Sequence, residues 1–211
     1  MRYRAVLYDM DGTVLDTLAD LTDSVNYTLR RFSMPERTAA EVRRFLGNGA
    51  LRLIKEAVPA GTDEKTVQEV LDFYKPYYDA HCRIKTAPYD GIPQLMEKLR
   101  EAGVRQAVVS NKPDTAVREL AAVFFPGLLE SAVGESASVR RKPCPDTVEA
   151  AMRVMGLEKR DCVYVGDSEV DIETSRRAGV DCISVLWGFR DRDFLERNGG
   201  NIFAEKPDDV F

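Results

Sequence analysis

Short runs rich in β-branched and aromatic residues recur along this chain with helical segments between them, and that alternation leaves it few ways to fold. Such runs pair side by side in parallel, joined by crossover helices. They are Tyr3 to Tyr8, Val104 to Ser110, Cys162 to Val165 and Val180 to Val185, with a weaker run near Leu128 to Val133. Helical patterning covers Ile92 to Ala102, Thr115 to Val123, Asp146 to Met155 and Val170 to Ala178, and Gly103, Gly156 and Gly179 stand where three of these helices stop. The pattern predicts an α/β fold built on a doubly wound, Rossmann-like parallel sheet.

From about Leu18 to about Ile84 the alternation lapses and only helical patterning remains. Thr38-Ala39-Ala40-Glu41 has the form of a capping box. Val67, Val70, Leu71, Tyr74, Tyr77 and Tyr78 fall on one helical face and are expected to pack inward. Pro88-Tyr89-Asp90-Gly91 marks the return to the α/β pattern. The expected organisation is a core of residues 1–16 and 86–211 with an all-helical insertion at 17–85.

Ligands of open parallel sheets sit beyond the carboxyl ends of the strands. The first run ends in Asp9-Met10-Asp11-Gly12-Thr13, the second in Ser110-Asn111-Lys112, and the third in Gly166-Asp167-Ser168-Glu169-Val170-Asp171. Lys142 follows the weaker run. Asp9 and Asp11 lie one residue apart in apolar surroundings, where an unpartnered polar group costs about 2–7 kcal/mol and a charge more. Clustered aspartates with few other donors call for a hard divalent cation, and magnesium suits an oxygen-only set.

A docked phosphate monoester dianion with Asp9 and Asp167 totals about -4, which magnesium and Lys142 bring to about -1. That balance lets a carboxylate nucleophile approach phosphorus, and phosphoryl transfer depends mostly on such positioning and charge stabilisation. Asp9 is then the nucleophile that forms an aspartyl-phosphate. Asp11 is the acid and base, kept protonated by its acidic neighbour and surroundings. Gly12 gives the backbone a tight turn toward the phosphate, Thr13 and Ser110 offer hydroxyls, and Asn111 is a further candidate substrate contact.

The balance of charge argues against a nucleic-acid partner. With 30 basic against 35 acidic residues the net charge is -5, and nucleic-acid binding wants a basic footprint. The one basic cluster, Arg140-Arg141-Lys142, is short enough to be a solvated loop. No apolar run reaches the roughly 18 residues of a membrane span or forms a secretory leader, so a cytoplasmic location is expected. The 4 cysteines form no C-x-x-C pair, and the single histidine, His81, leaves little for a zinc site.

The motif set resembles the haloacid dehalogenase superfamily of aspartate-nucleophile phosphatases. Asp9-Met10-Asp11-Gly12-Thr13 matches its first motif, Ser110 its second, Lys142 its third and Gly166 to Asp171 its fourth. The helical insertion is similar to the cap domain that this family places after the first motif. The resemblance implies Mg2+ held by Asp9, the backbone carbonyl of Asp11, and Asp167, with Asp171 supporting from behind. Asp11 implies phosphoryl rather than halide chemistry. Phe45-Leu46-Gly47-Asn48-Gly49-Ala50-Leu51 resembles the cap loop of phosphoglycolate phosphatases, which makes Gly47, Asn48 and Gly49 candidate substrate contacts and 2-phosphoglycolate the expected substrate.

The partner implied is a small phosphorylated metabolite, with the chain acting as a monomer or dimer. The alternatives are a phosphatase for a sugar phosphate, nucleotide or pyrophosphate, a phosphosugar mutase, and a non-catalytic phosphate-sensing or protein-binding member. Mutases resembling this chain use a histidine in the first cap helix, whereas His81 lies at the far end of the insertion. A non-catalytic member is expected to have lost the nucleophile or the acid, and both are present.

Overall fold

The computed structural model describes residues 3–210, which divide into two compact units, one formed by residues up to Leu15 and from Pro88 onward, the other by Asp16–Ala87. The first unit begins with β1 (Ala5–Tyr8), every residue of which is buried. A central strand covered on both faces reads as a continuous apolar run, not as an alternation. Two short strands, β2 (Leu15–Asp16) and β3 (Ala87–Pro88), stand where the chain leaves and re-enters this unit. Then follow α5 (Ile92–Glu101), β4 (Arg105–Pro113), α6 (Asp114–Phe124), β5 (Ser131–Glu135), α7 (Asp146–Met155), β6 (Cys162–Gly166), α8 (Glu169–Ala178), β7 (Asp181–Val185), α9 (Arg192–Arg197) and β8 (Phe203–Ala204), the helices α1 to α4 belonging to the other unit.

The six long-sheet strands are parallel in the order β5-β4-β1-β6-β7-β8. The chain therefore builds outward from β1 in one direction, returns, and builds outward in the other. Beside β1 lies the switch point where such sheets bind ligands. Tyr8 is in register with Val108 of β4 and Val165 of β6. Asp9, Ser110 and Asp167 thus lie one or two residues past a common line at the same edge. Leu7, Ala107, Val109, Val133 and Tyr164 pack with Val148, Ala151, Met152 and Met155 of α7 in one apolar cluster.

Most expected elements form within a residue or two of their sequence limits, α7 with the limits expected. β4 runs three residues past Ser110, and β5 begins at Ser131, not near Leu128. The sixth strand, β8, has no counterpart in the sequence reading because two paired residues carry no periodicity.

The helical unit comprises α1 (Leu18–Arg31), α2 (Ala39–Phe45), α3 (Gly49–Ala57) and α4 (Glu64–His81). Thr38 and Glu41 form the capping box expected at the start of α2. Arg37 closes the end of α3, donating from Nε to the Ala57 carbonyl (2.6 Å) and from Nη2 to that of Val58 (3.2 Å). Five of the six expected inward residues of α4 are buried, but Tyr77 is half-buried and stacks between Tyr27 and His81, 3.9 Å from each ring centroid. His81 Nδ1 lies 2.7 Å from the Tyr77 carbonyl. Among the described residues no helix is long and apolar enough to cross a membrane.

One buried carboxylate ties the two ends of this unit together. Asp20, in the first turn of α1 and 2 % exposed, accepts from the Lys85 N–H on both oxygens (2.9 and 3.0 Å) and from the buried Thr86 N–H (2.9 Å). Asp20→Ala leaves those donors without their acceptor and is expected to cost about 2 kcal/mol in urea unfolding. Asp20→Asn, which keeps one carbonyl oxygen, should cost less.

Candidate active site

Asp9 is the first residue past β1, and its N–H continues the sheet ladder to the Val165 carbonyl (2.8 Å). Its carboxylate Oδ1 accepts from the Met10 N–H at 2.6 Å and from Lys142 Nζ at 2.7 Å. Lys142 reaches the same point from the loop between β5 and α7 and is 3 % exposed. Its other N–H groups meet Asp171 Oδ1 (2.8 Å) and the Tyr164 hydroxyl (3.1 Å). The basic cluster is therefore not one solvated loop: Lys142 is buried in the site, while Arg140 pairs with Asp146.

Asp171 has a full set of donors. Oδ1 takes Lys142 and the Tyr164 hydroxyl (2.9 Å), and Oδ2 takes the Ser168 hydroxyl (2.6 Å) and the Ser168 N–H (3.1 Å). A carboxylate offers about four lone-pair directions, and here all four are used. The two partners of Lys142 consequently titrate in opposite directions. Burial works against the charge of both, but Lys142 and the hydroxyl donors hold Asp171 below the usual carboxylate range. Asp9 is driven well above that range by its burial and by the nearby charge of Asp171, against the opposing pull of Lys142.

Asp167 is buried, with Oδ1 accepting from the Thr13 hydroxyl (3.4 Å) and Oδ2 from the Phe189 N–H (2.6 Å). Burial and Asp171 push its carboxyl up to about 7, while the Phe189 N–H and Arg190 pull it down. Gly12, at φ +81°, is pressed against this group, and a Cβ there would overlap the Asp167 carboxylate and the Phe189 ring. Trp187 Nε1–H donates to the Thr13 carbonyl (3.0 Å). The loop after β7 therefore seats Asp167 and the turn after β1 together. In the sequence Trp187-Gly188-Phe189 follows a strand end and could line the site edge, although a lone tryptophan is more often packing. The contact itself was not readable, because a backbone N–H such as that of Phe189 is common to almost every residue.

Ser110 lies past Val108 at the same edge, 1 % exposed, its Oγ accepting from the Lys112 N–H (3.3 Å). Asn111 clasps the Lys142 backbone, donating to its carbonyl (3.1 Å) and accepting from its N–H (2.6 Å). Asp11 has Lys112 as a charged partner, Nζ to Oδ1 3.1 Å, where the sequence led us to expect that its behaviour would be set by Asp9. Lys112 and Tyr164 went unassigned in the sequence. A tyrosine within the apolar run of β6 was the available sign, since a buried hydroxyl needs a partner. Gly47, Asn48 and Gly49 belong to the helical unit, where Asn48 precedes α3 between glycines at φ +106° and +78°.

Asp9, Asp167 and Asp171 bring carboxylate oxygens within 4.8 Å of one another, and all three are buried. Lys142 contacts two of these three buried carboxylates, Asp9 and Asp171. Asp171 is occupied by its four donors, which leaves Asp9 and Asp167 as the carboxylates of the three that could hold a cation. Oxygen donors of this kind fit a hard divalent ion.

The family described as haloacid dehalogenase-like hydrolase matches residues 6–185. A phosphoglycolate phosphatase of Xanthomonas campestris pv. campestris is 32% identical over 218 residues, covering 98% of this chain and 95% of that protein. One from Aquifex aeolicus is 28% identical over 187 residues, covering 88% and 86%. A solved structure from Lactobacillus delbrueckii subsp. bulgaricus is 38% identical, covers 100% of this chain and 97% of that one, and superposes with a TM-score of 0.95. The match spans β1 through β7 and takes in every carboxylate gathered at the sheet edge, so the chain belongs to the haloacid dehalogenase-like hydrolases.

Proposed function

We propose that the protein is a magnesium-dependent phosphatase of small phosphate monoesters, with 2-phosphoglycolate as its substrate, acting through an aspartyl-phosphate on Asp9. The observation that carries the reading is the buried contact of Lys142 with Asp9 at the sheet's switch point, 2.7 Å. The family supports hydrolysis, and relatives named phosphoglycolate phosphatase support the choice of ester. Cys82, Cys144, Cys162 and Cys182 form no disulfide, which supports a reducing, cytoplasmic setting.

In this mechanism a carboxylate oxygen of Asp9 attacks phosphorus as the bond from phosphorus to the alcohol oxygen breaks. Asp11 gives its proton to the departing alkoxide. Asp11 then takes a proton from water, whose oxygen attacks phosphorus and breaks the bond to Asp9, releasing inorganic phosphate. Lys142 orients Asp9 and neutralises phosphoryl charge, while Asp171, Tyr164 and Asn111 hold Lys142 in place. Thr13 and Gly12 fix Asp167 and the turn beside it, and Ser110 offers its hydroxyl to the phosphoryl group. Asp9, Asp167 and the backbone carbonyl of Asp11 would hold magnesium, which would supply the positive charge that a dianionic ester requires.

The test is phosphate release from 2-phosphoglycolate, sugar phosphates, nucleotides and pyrophosphate, with magnesium and with chelator. Turnover should require the metal and kcat/KM should favour 2-phosphoglycolate by about tenfold or more, the effect of one well-placed charged contact. Release that survives chelation refutes the cofactor, and a flat panel refutes the substrate.

A further inference from the structure

Building on the phosphatase reading, we propose that Lys112 is the specificity residue that recognises an anionic group on the alcohol side of the ester, which makes phosphorylated 2-hydroxy carboxylates the preferred class. The placement of Lys112 begins with an irregularity in the sheet. Val109 is in register with Val133 and Pro113 with Glu135, so the β4 stretch Ser110–Lys112 is longer than its β5 counterpart and leaves the regular ladder. Such irregularities re-aim side chains, often next to active sites. Gly134 makes this one possible: a Cβ there would overlap the Lys112 carbonyl and the Asp114 backbone. The Asp114 carboxylate then accepts from the Gly134 N–H (2.9 Å) and pins the bend.

The bend carries Lys112 into the site, 9 % exposed, with Nζ 3.1 Å from Asp11 Oδ1. For Asp11 to protonate the leaving oxygen, that oxygen must come within about 2.6–3.2 Å of its carboxyl. Where that oxygen meets Oδ1, the carboxyl oxygen that Lys112 contacts, Lys112 Nζ stands no more than about 6 Å from it. A carboxylate on the adjacent carbon extends about 3–4 Å from the ester oxygen, which brings it within reach of Nζ. Three other cations near this edge have carboxylate partners away from Asp11: Lys142 pairs with Asp9 and Asp171, Arg190 with Glu169, and Arg140 with Asp146. Lys112 is instead paired with the group whose proton must move. An anion on the leaving alcohol gives the ammonium a partner on the substrate itself. A neutral alkyl ester offers Lys112 nothing.

The experiment compares kcat/KM for 2-phosphoglycolate and for ethyl phosphate, which has a methyl where the former has its carboxylate, in wild type, Lys112→Met and Lys112→Gln. The quantity read is the ratio between the two esters, so any loss common to both through Asp11 cancels. Wild type should prefer 2-phosphoglycolate, and both variants should lower that ratio about 10- to 100-fold, mainly through KM for 2-phosphoglycolate. A wild type that hydrolyses both esters without preference, or a ratio that survives both substitutions, overturns the role of Lys112 and leaves the phosphatase reading standing. A wild type inert toward both esters with magnesium present overturns the two together.

Discussion

Replacing Asp9 by Asn is expected to lower kcat for every phosphate monoester by at least about 10⁴-fold, because the amide can neither attack phosphorus nor carry the acyl phosphate. The folded state should tolerate the change. Asn keeps a carbonyl oxygen for the Met10 N–H and the Lys142 ammonium, which now meet Oδ1 at 2.6 and 2.7 Å. It also removes a charge that burial and Asp171 oppose, as the upward displacement of the Asp9 carboxyl records. In magnesium-free buffer the urea midpoint should therefore match or exceed that of wild type. Phosphate release from 2-phosphoglycolate, measured beside that midpoint, separates a lost nucleophile from a lost fold. Turnover within about 100-fold of wild type in a fully folded variant would exclude Asp9 as the nucleophile.

What could be read in the chain before its structure was a matter of distance along it. Asp9, Ser110 and Asp167 were legible because parallel strands share an edge, so a polar residue just past each apolar run must meet the others there. The Ser168–Asp171 contact spans three residues and follows from helix-start geometry. Lys142 meeting Tyr164 and Asp171 joins residues 22 and 29 positions apart, and the loop that seats Asp167 acts through the main chain of Phe189. Neither leaves a local pattern. The partnership of Asp11 with Lys112 depends on a strand irregularity made possible by a glycine in the neighbouring strand. Periodicity also has limits where rings find better partners than the core, as Tyr77 does between Tyr27 and His81.

Removing the charge at position 142 tests how far stability and catalysis depend on one side chain. Lys142→Met is expected to destabilise the protein by about 3 kcal/mol or more and to abolish turnover. Its Nζ has Asp9 at 2.7 Å, Asp171 at 2.8 Å and the Tyr164 hydroxyl at 3.1 Å. A thioether satisfies none of the three. Asp171 keeps Ser168 and Tyr164 as donors but loses the charge that chiefly holds its carboxyl down. Asp9 loses the same ion while the repulsion from Asp171 and Asp167 persists. The cost is that of uncompensated buried charge, larger than the net worth of the ion pair itself. A second substitution distinguishes this from simple loss of packing. Adding Asp171→Asn to Lys142→Met removes one of the stranded charges and should recover at least about half of the lost stability in urea, because partners in contact are strongly non-additive. It should recover no activity, since the ammonium that orients Asp9 is still missing. A single variant within about 0.5 kcal/mol of wild type, or a double variant no more stable than the single, would mean that the buried carboxylates of this site do not depend on Lys142.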